Sequence, residues 1–124
     1  MLTIMLGCVL VNAHEYVVLT QDNPNTTVSS GESVTIYGTS DANQITVESG
    51  ADVELVNFPG SNTVSIESDS AGFTVFRSGD TVTFQGSDGT LLRIPATQTA
   101  QIIDFTDRPS LTLSIYNGQV VLDD

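Results

Sequence analysis

Short apolar–polar–apolar triplets recur along this chain from Val34 onward. They are Val34-Thr35-Ile36, Ile45-Thr46-Val47, Val53-Glu54-Leu55, Val64-Ser65-Ile66, Phe73-Thr74-Val75 and Val82-Thr83-Phe84. The series continues with Leu91-Leu92-Arg93-Ile94, Ile102-Ile103-Asp104-Phe105, Leu111-Thr112-Leu113 and Val120-Val121-Leu122. Successive starts differ by 11, 8, 11, 9, 9, 9, 11, 9 and 9 residues. Alternation of this kind places two apolar side chains on one face of a strand. The apolar residues are mostly Val, Ile, Leu and Phe with Thr and Ser between them, which suits a pleated surface better than a helix.

The segments between the triplets predict how the strands connect. Gly38-Thr39-Ser40-Asp41-Ala42-Asn43 and Phe58-Pro59-Gly60-Ser61-Asn62-Thr63 are wide polar turns, as a parallel roll needs. Arg77-Ser78-Gly79-Asp80 and Ser87-Asp88-Gly89-Thr90 are tight turns of hairpin type, where Gly accepts positive φ. Pro95-Ala96-Thr97-Gln98-Thr99 ends that run, and Asp107-Arg108-Pro109-Ser110 is a further turn. Tyr116-Asn117-Gly118-Gln119 joins two apolar runs as a hairpin. The expected fold is all-β with short strands at a period of ~9 residues. Its first half is β-roll or β-solenoid-like, and residues 73–94 form an antiparallel meander sharing the same core. A β-sandwich is the alternative.

The phrases Tyr37-Gly38-Thr39-Ser40-Asp41-Ala42-Asn43-Gln44-Ile45-Thr46-Val47 and Pro59-Gly60-Ser61-Asn62-Thr63-Val64-Ser65-Ile66 resemble degenerate hemolysin-type (RTX) calcium-binding repeats. Residues 73–84, 89–97 and 110–115 look like the segment that often follows such repeats in large bacterial surface and secreted proteins. The resemblance spans residues 34–122. It implies an extracellular or cell-surface location, a β-roll, and calcium held in the turns by Asp41, Asn43 and Asn62. The sequence departs from that pattern in its charges. Asn43 and Asn62 stand where the repeat has Asp, and Asp41 stands where it has Gly. An Asn carbonyl can ligate calcium but adds no negative charge.

Charge narrows the partners. Fifteen acidic residues face only Arg77, Arg93 and Arg108, with no Lys, for a net charge of −12. Such a chain repels nucleic-acid phosphates and anionic membrane surfaces and attracts cations. No apolar stretch reaches the ~18 residues of a membrane-spanning helix. Cys8 is the only cysteine, so no intrachain disulfide can form.

Residues 1–13 are an apolar N-terminal segment, expected to be a signal remnant or a strand donated to a neighbour, and residues 14–124 a single β domain. The sequence stops directly after a strand, which suggests a piece of a longer chain or a subunit completed by a neighbour. End-to-end or edge-to-edge association into an oligomer or filament is the corresponding expectation.

Candidate chemistry is sparse. His14 is the only His and cannot build a zinc site alone. No Gly-x-Ser-x-Gly occurs. Asp52 and Glu54 share a strand face, the spacing of a glycosidase pair, but we read them as the solvent side of a half-buried strand. Asn25-Thr26-Thr27 is a glycosylation sequon, meaningful only in a secretory host. The sequence therefore points to a non-catalytic extracellular structural or adhesive module, self-assembling into a fibre or surface layer and binding calcium. Two alternatives stand beside it: a calcium-dependent folding or secretion module attached to an enzyme, and a carbohydrate-binding β-sandwich using Tyr16, Tyr37 or Tyr116.

Overall fold

A computed structural model of the chain describes residues 14–124. The expectations for residues 1–13 lie outside the described residues. The strands are β1 Glu15–Val18, β2 Asn25–Val28, β3 Ser33–Tyr37, β4 Gln44–Glu48, β5 Asp52–Val56 and β6 Thr63–Glu67. A short 3-10 turn, Ser70–Gly72, precedes β7 Phe73–Ser78 and β8 Thr81–Gly86. The remainder are β9 Leu91–Pro95, β10 Gln101–Asp104, β11 Leu111–Tyr116 and β12 Gln119–Asp123. All ten triplets fall in strands, with Phe105 alone one residue past the end of β10.

The strands form two six-stranded sheets, ordered β1-β3-β5-β9-β8-β7 and β12-β11-β10-β6-β4-β2. Up to β6 the chain alternates between the sheets, and each strand pairs in parallel with the one two places earlier. Glu15 pairs with Val34 and Val34 with Val53, a step of 19 residues. Asn25, Gln44 and Thr63 repeat the same step in the second sheet. The 11-and-8 alternation of the triplets is thus one 19-residue coil with a wide turn on one flank and a tight turn on the other.

The coil is then interrupted without losing register. Asp52 pairs with Leu91 and Thr63 with Ile102, each a step of 39 residues, which exceeds one coil by 20. The excess is the β7–β8 hairpin, whose strands extend the first sheet in antiparallel fashion beyond β9. The β11–β12 hairpin extends the second sheet beyond β10 in the same way. The expected roll followed by a meander is the observed architecture, and the two stacked sheets also give it the outline of a sandwich.

Turn chemistry explains the tight flank. Gly31, Gly50 and Gly89 occupy equivalent places in the stack, with φ of 83°, 87° and 92°. Positive φ there costs Gly nothing and most other residues much. Asn117 and Gly118, both at positive φ, close the β11–β12 hairpin.

One hydrophobic cluster runs through the stack from Leu19 to Leu113. Ile36, Ile45, Val47, Val53, Val64, Phe84, Leu92 and Ile94 are completely buried between the sheets. Phe58 reaches across from the next wide turn to lie on Gly38. A Cβ at Gly38 would stand 2.6 Å from the Phe58 ring.

Candidate functional site

The wide-turn flank holds the three residues expected to bind calcium. Asn43 and Asn62 are buried, and Asp41 is exposed on the turn. The structure brings the two asparagines together, one coil apart. The Asn43 main-chain N–H donates to Asn62 Oδ1 at 2.9 Å. Asn62 Nδ2 donates to the carbonyls of Phe58 and Gly60, and Asn43 Nδ2 to that of Pro24. Asn43 Oδ1 in turn accepts from the N–H and the hydroxyl of Thr39. Each amide therefore satisfies backbone groups that a turn at the edge of a core would otherwise leave unpaired. The Asp41 carboxylate does not join them. Its residue enters the stack through the backbone, since a Cβ at Gly60 would stand 2.4 Å from the Asp41 carbonyl oxygen. Among the described residues no three His, Cys, Asp or Glu side chains gather around a point where one metal ion could sit.

The tight-turn flank has its own staple. Asp88 accepts from Ser49 Oγ at 2.6 Å, Ser68 Oγ at 2.8 Å and the Thr90 N–H at 3.0 Å. These donors come from the β4–β5, β6–β7 and β8–β9 connections, all on this flank. The Ser49 hydrogen bond is the largest cause holding the Asp88 carboxyl far below the usual carboxylate range; slight burial opposes it, and Thr90 and Ser68 reinforce it. Asp107 accepts from the N–H and hydroxyl of Ser70, and these bonds, with Arg108 nearby, lower its pKa in the same direction.

The outer face of the first sheet carries the remaining candidate chemistry. Register aligns Tyr16, Thr35, Glu54, Arg93, Thr83 and Phe76 in one row across it. Asp52 and Glu54 share this face, as expected. Arg93 Nη1 lies 3.5 Å from Asp52 Oδ1, both partly exposed. His14 Nδ1 is 2.8 Å from Ser33 Oγ and Nε2 is 2.6 Å from Thr35 Oγ1. Ser33 Oγ also donates to Asp52 at 3.4 Å. The hydroxyl thus sits between the imidazole and the carboxylate, whereas a hydrolytic triad needs the imidazole in the middle. Tyr16 and Tyr37 are diagonal neighbours on this face, with Val18 opposite Tyr37. Tyr116 is apart from them, on β11 of the second sheet.

The last feature is the end of the stack where β7 and β12 are the outermost strands. A cleft of about 350 Å³ lies between them, lined by apolar Phe73, Val75, Phe105, Leu111 and Leu122 together with Ser70, Arg108 and Asp124. Farther along the same two strands a second hollow of about 320 Å³ is lined by Arg77, Gly118, Gln119 and Val120. Sequence reasoning missed this groove. Its signal was Phe73-Thr74-Val75-Phe76, which is apolar on both sides of the strand and so has no clean solvent face.

No family model, no curated protein and no solved structure matches this chain. Among the described residues no helix is long and apolar enough to cross a membrane.

Proposed function

We propose that this chain is a non-catalytic structural and adhesive module of an extracellular or cell-surface protein, in which stacked coils supply length and two broad sheet faces. One observation carries the reading. Equivalent positions in successive coils do equivalent structural work, as the positive-φ glycines Gly31, Gly50 and Gly89 and the stacked amides Asn43 and Asn62 illustrate. Stacking of this kind is quasi-one-dimensional, each coil depending on its neighbours rather than on a central site. The placement of the polar side chains supports it too: Asn43, Asn62, Asp88 and Asp107 are spent on turn backbone and on neighbouring coils. The net charge of −12 and the absence of Lys suit a solvated module that does not stick to nucleic acid.

Removing one coil tests this. Deleting residues 38–56 joins Tyr37 to Asn57, which is the equivalent of Gly38 one 19-residue step on, and leaves the register of both sheets intact. A structural stack should still fold cooperatively into a shorter β protein with a lower melting temperature. Loss of folded structure in that variant, while point substitutions in the same coil are tolerated, would overturn the modular reading.

A further inference from the structure

The groove between β7 and β12 is an unfinished end of the molecule. Both strands are sheet edges, so each presents a row of backbone donors and acceptors with no strand beyond it among the described residues. Edge strands are ordinarily guarded by Lys, Pro, inward charge or a bulge. β7 reads Phe-Thr-Val-Phe-Arg-Ser, six residues with Arg77 as the sole charge. Its Val75 and Phe76 are 43% and 49% exposed, among the most exposed large apolar side chains of the described residues. Beneath the two edges lie Leu111, buried in the core, and Phe73 and Leu122, only partly buried against it.

We propose that this end is an interface between two copies of the chain, joined about a two-fold axis normal to the sheets. The proposal rests on the structural-module reading above and gives that module its mode of assembly. Such an axis sets β7 antiparallel to β7 of the second copy and β12 antiparallel to its own counterpart. Both sheets then continue across the junction, and the two half-grooves merge into one apolar core. The pairing is isologous, so it closes at two copies and builds no filament.

Charge favours this orientation. The groove has a positive end at Arg77 and an acidic end at Asp124, where Arg108 already offsets part of the charge. A two-fold axis exchanges the ends, bringing Arg77 of one copy toward Asp124 of the other, twice per junction. Strand length agrees with it. β7 and β12 have six and five residues and meet partners of their own length, whereas β1 and β2 at the opposite end have only four each. The end face measures roughly 20 Å along the strands and about 20 Å across, on the order of 400 Å² per copy or about 800 Å² in total, below the ~1,000 Å² of a stable specific interface and so the size of a weak contact. Association should therefore depend on concentration.

Sedimentation equilibrium of the full chain, from micromolar to millimolar, tests the proposal. We expect a monomer–dimer equilibrium with no larger species. Val75→Lys places two like charges face to face near the axis and should weaken the dimer by roughly tenfold or more. Val18→Lys, on β1 at the opposite end, should leave it unchanged, as should removal of residues 1–13. Arg77→Asp and Asp124→Arg should each weaken self-association, while an equimolar mixture of the two variants should recover a heterodimer. Thermal melts of every variant separate lost association from lost folding. A chain monomeric throughout, a Val75→Lys variant that still dimerises, or a mixture that fails to recover the dimer would overturn the two-fold junction. Open-ended growth abolished by Val18→Lys or by removing residues 1–13 would overturn it in favour of head-to-tail assembly. None of these outcomes touches the structural reading, which stands or falls on the coil deletion.

Discussion

Asn43 and Asn62 stand one coil apart, and the backbone of the first is held by the side chain of the second at 2.9 Å. Asn62 is completely buried and also donates to the carbonyls of Phe58 and Gly60. Replacing it with Ala leaves a buried N–H and two carbonyls short of partners. Each such loss costs ~1–3 kcal/mol, so Asn62→Ala should destabilise the fold by about 3 kcal/mol after partial relaxation. Asp41→Ala, on the exposed rim of the neighbouring turn, should change it by less than about 0.5 kcal/mol. Urea denaturation of both variants against the parent checks the contrast. Equal effects would mean that the asparagine stack contributes nothing special.

The contact of Phe58 with Gly38 supplies a second expectation. A Cβ at Gly38 would stand 2.6 Å from the ring, and the ring is locked in the core at 1% exposure. Gly38→Ala should therefore cost ~1–3 kcal/mol by overpacking. Phe58→Leu alone should cost a similar amount through lost burial. The double variant should cost less than the two single effects added together, because the smaller side chain makes room for the methyl group. Strict additivity in a denaturation cycle would show that the contact is not the reason for glycine at position 38.

Acid should loosen the tight-turn flank first. The folded-state pKa of Asp88 lies below its unfolded value because its hydrogen-bond donors prefer the carboxylate. A depressed pKa contributes stability that is fully present above the unfolded pKa, near 3.9, and is lost progressively as pH falls from there through the lower folded-state pKa. Asp107 acts in the same direction. Asp88 is largely solvated, so screening limits its contribution to about 1 kcal/mol. Asp88→Ala should lower the melting temperature at neutral pH, and the difference should shrink as pH falls from about 4 toward 2 without vanishing, because the folded-state carboxyl titrates only well below the usual range. A constant difference between the two proteins across that range would show that the carboxylate charge is irrelevant.

The ten triplets were legible because eight of them bury two apolar side chains between the sheets and the other two, on the edge strands β7 and β12, keep the same alternation, a pattern that survives without knowledge of partners. The turns at Gly79, Gly89 and Asn117-Gly118 were legible because positive φ selects few residue types. β1 and β2 were not read as strands. β2 is Asn-Thr-Thr-Val, and only its Val28 enters the core. Its parallel pairing to β4, not its own pattern, makes it a strand. The asparagines illustrate a different limit. Sequence marks Asn43 and Asn62 as special positions, but an amide suits a metal site and a buried turn equally well. Only the 19-residue register, which sets one asparagine above the other, reveals what each is bonded to. The groove likewise depends on the two hairpins ending at the same side of the stack, a long-range fact with little local trace.

Calcium provides the final prediction. A calcium ion takes six to eight oxygen ligands, with several carboxylates in a tight site. Around the wide turns the side-chain oxygens of Asn43 and Asn62 already accept hydrogen bonds, from Thr39 and from the Asn43 backbone. To ligate, each amide oxygen would have to share its lone pairs between the ion and the N–H donor it already accepts, which weakens that hydrogen bond. Asp41 would then be the one carboxylate among the three residues to offset that loss. A ligand that binds only the folded state raises its stability by mass action, so the melting temperature reports on occupancy. We expect the same melting temperature, within about 1 °C, in millimolar calcium and in chelator, for the parent and for Asp41→Ala alike. A calcium-dependent rise of several degrees in the parent that vanishes in Asp41→Ala would place the ion in this turn. Ligation through Asn62 Oδ1 would also weaken the hydrogen bond it accepts from the Asn43 N–H, which nuclear magnetic resonance of that N–H would detect.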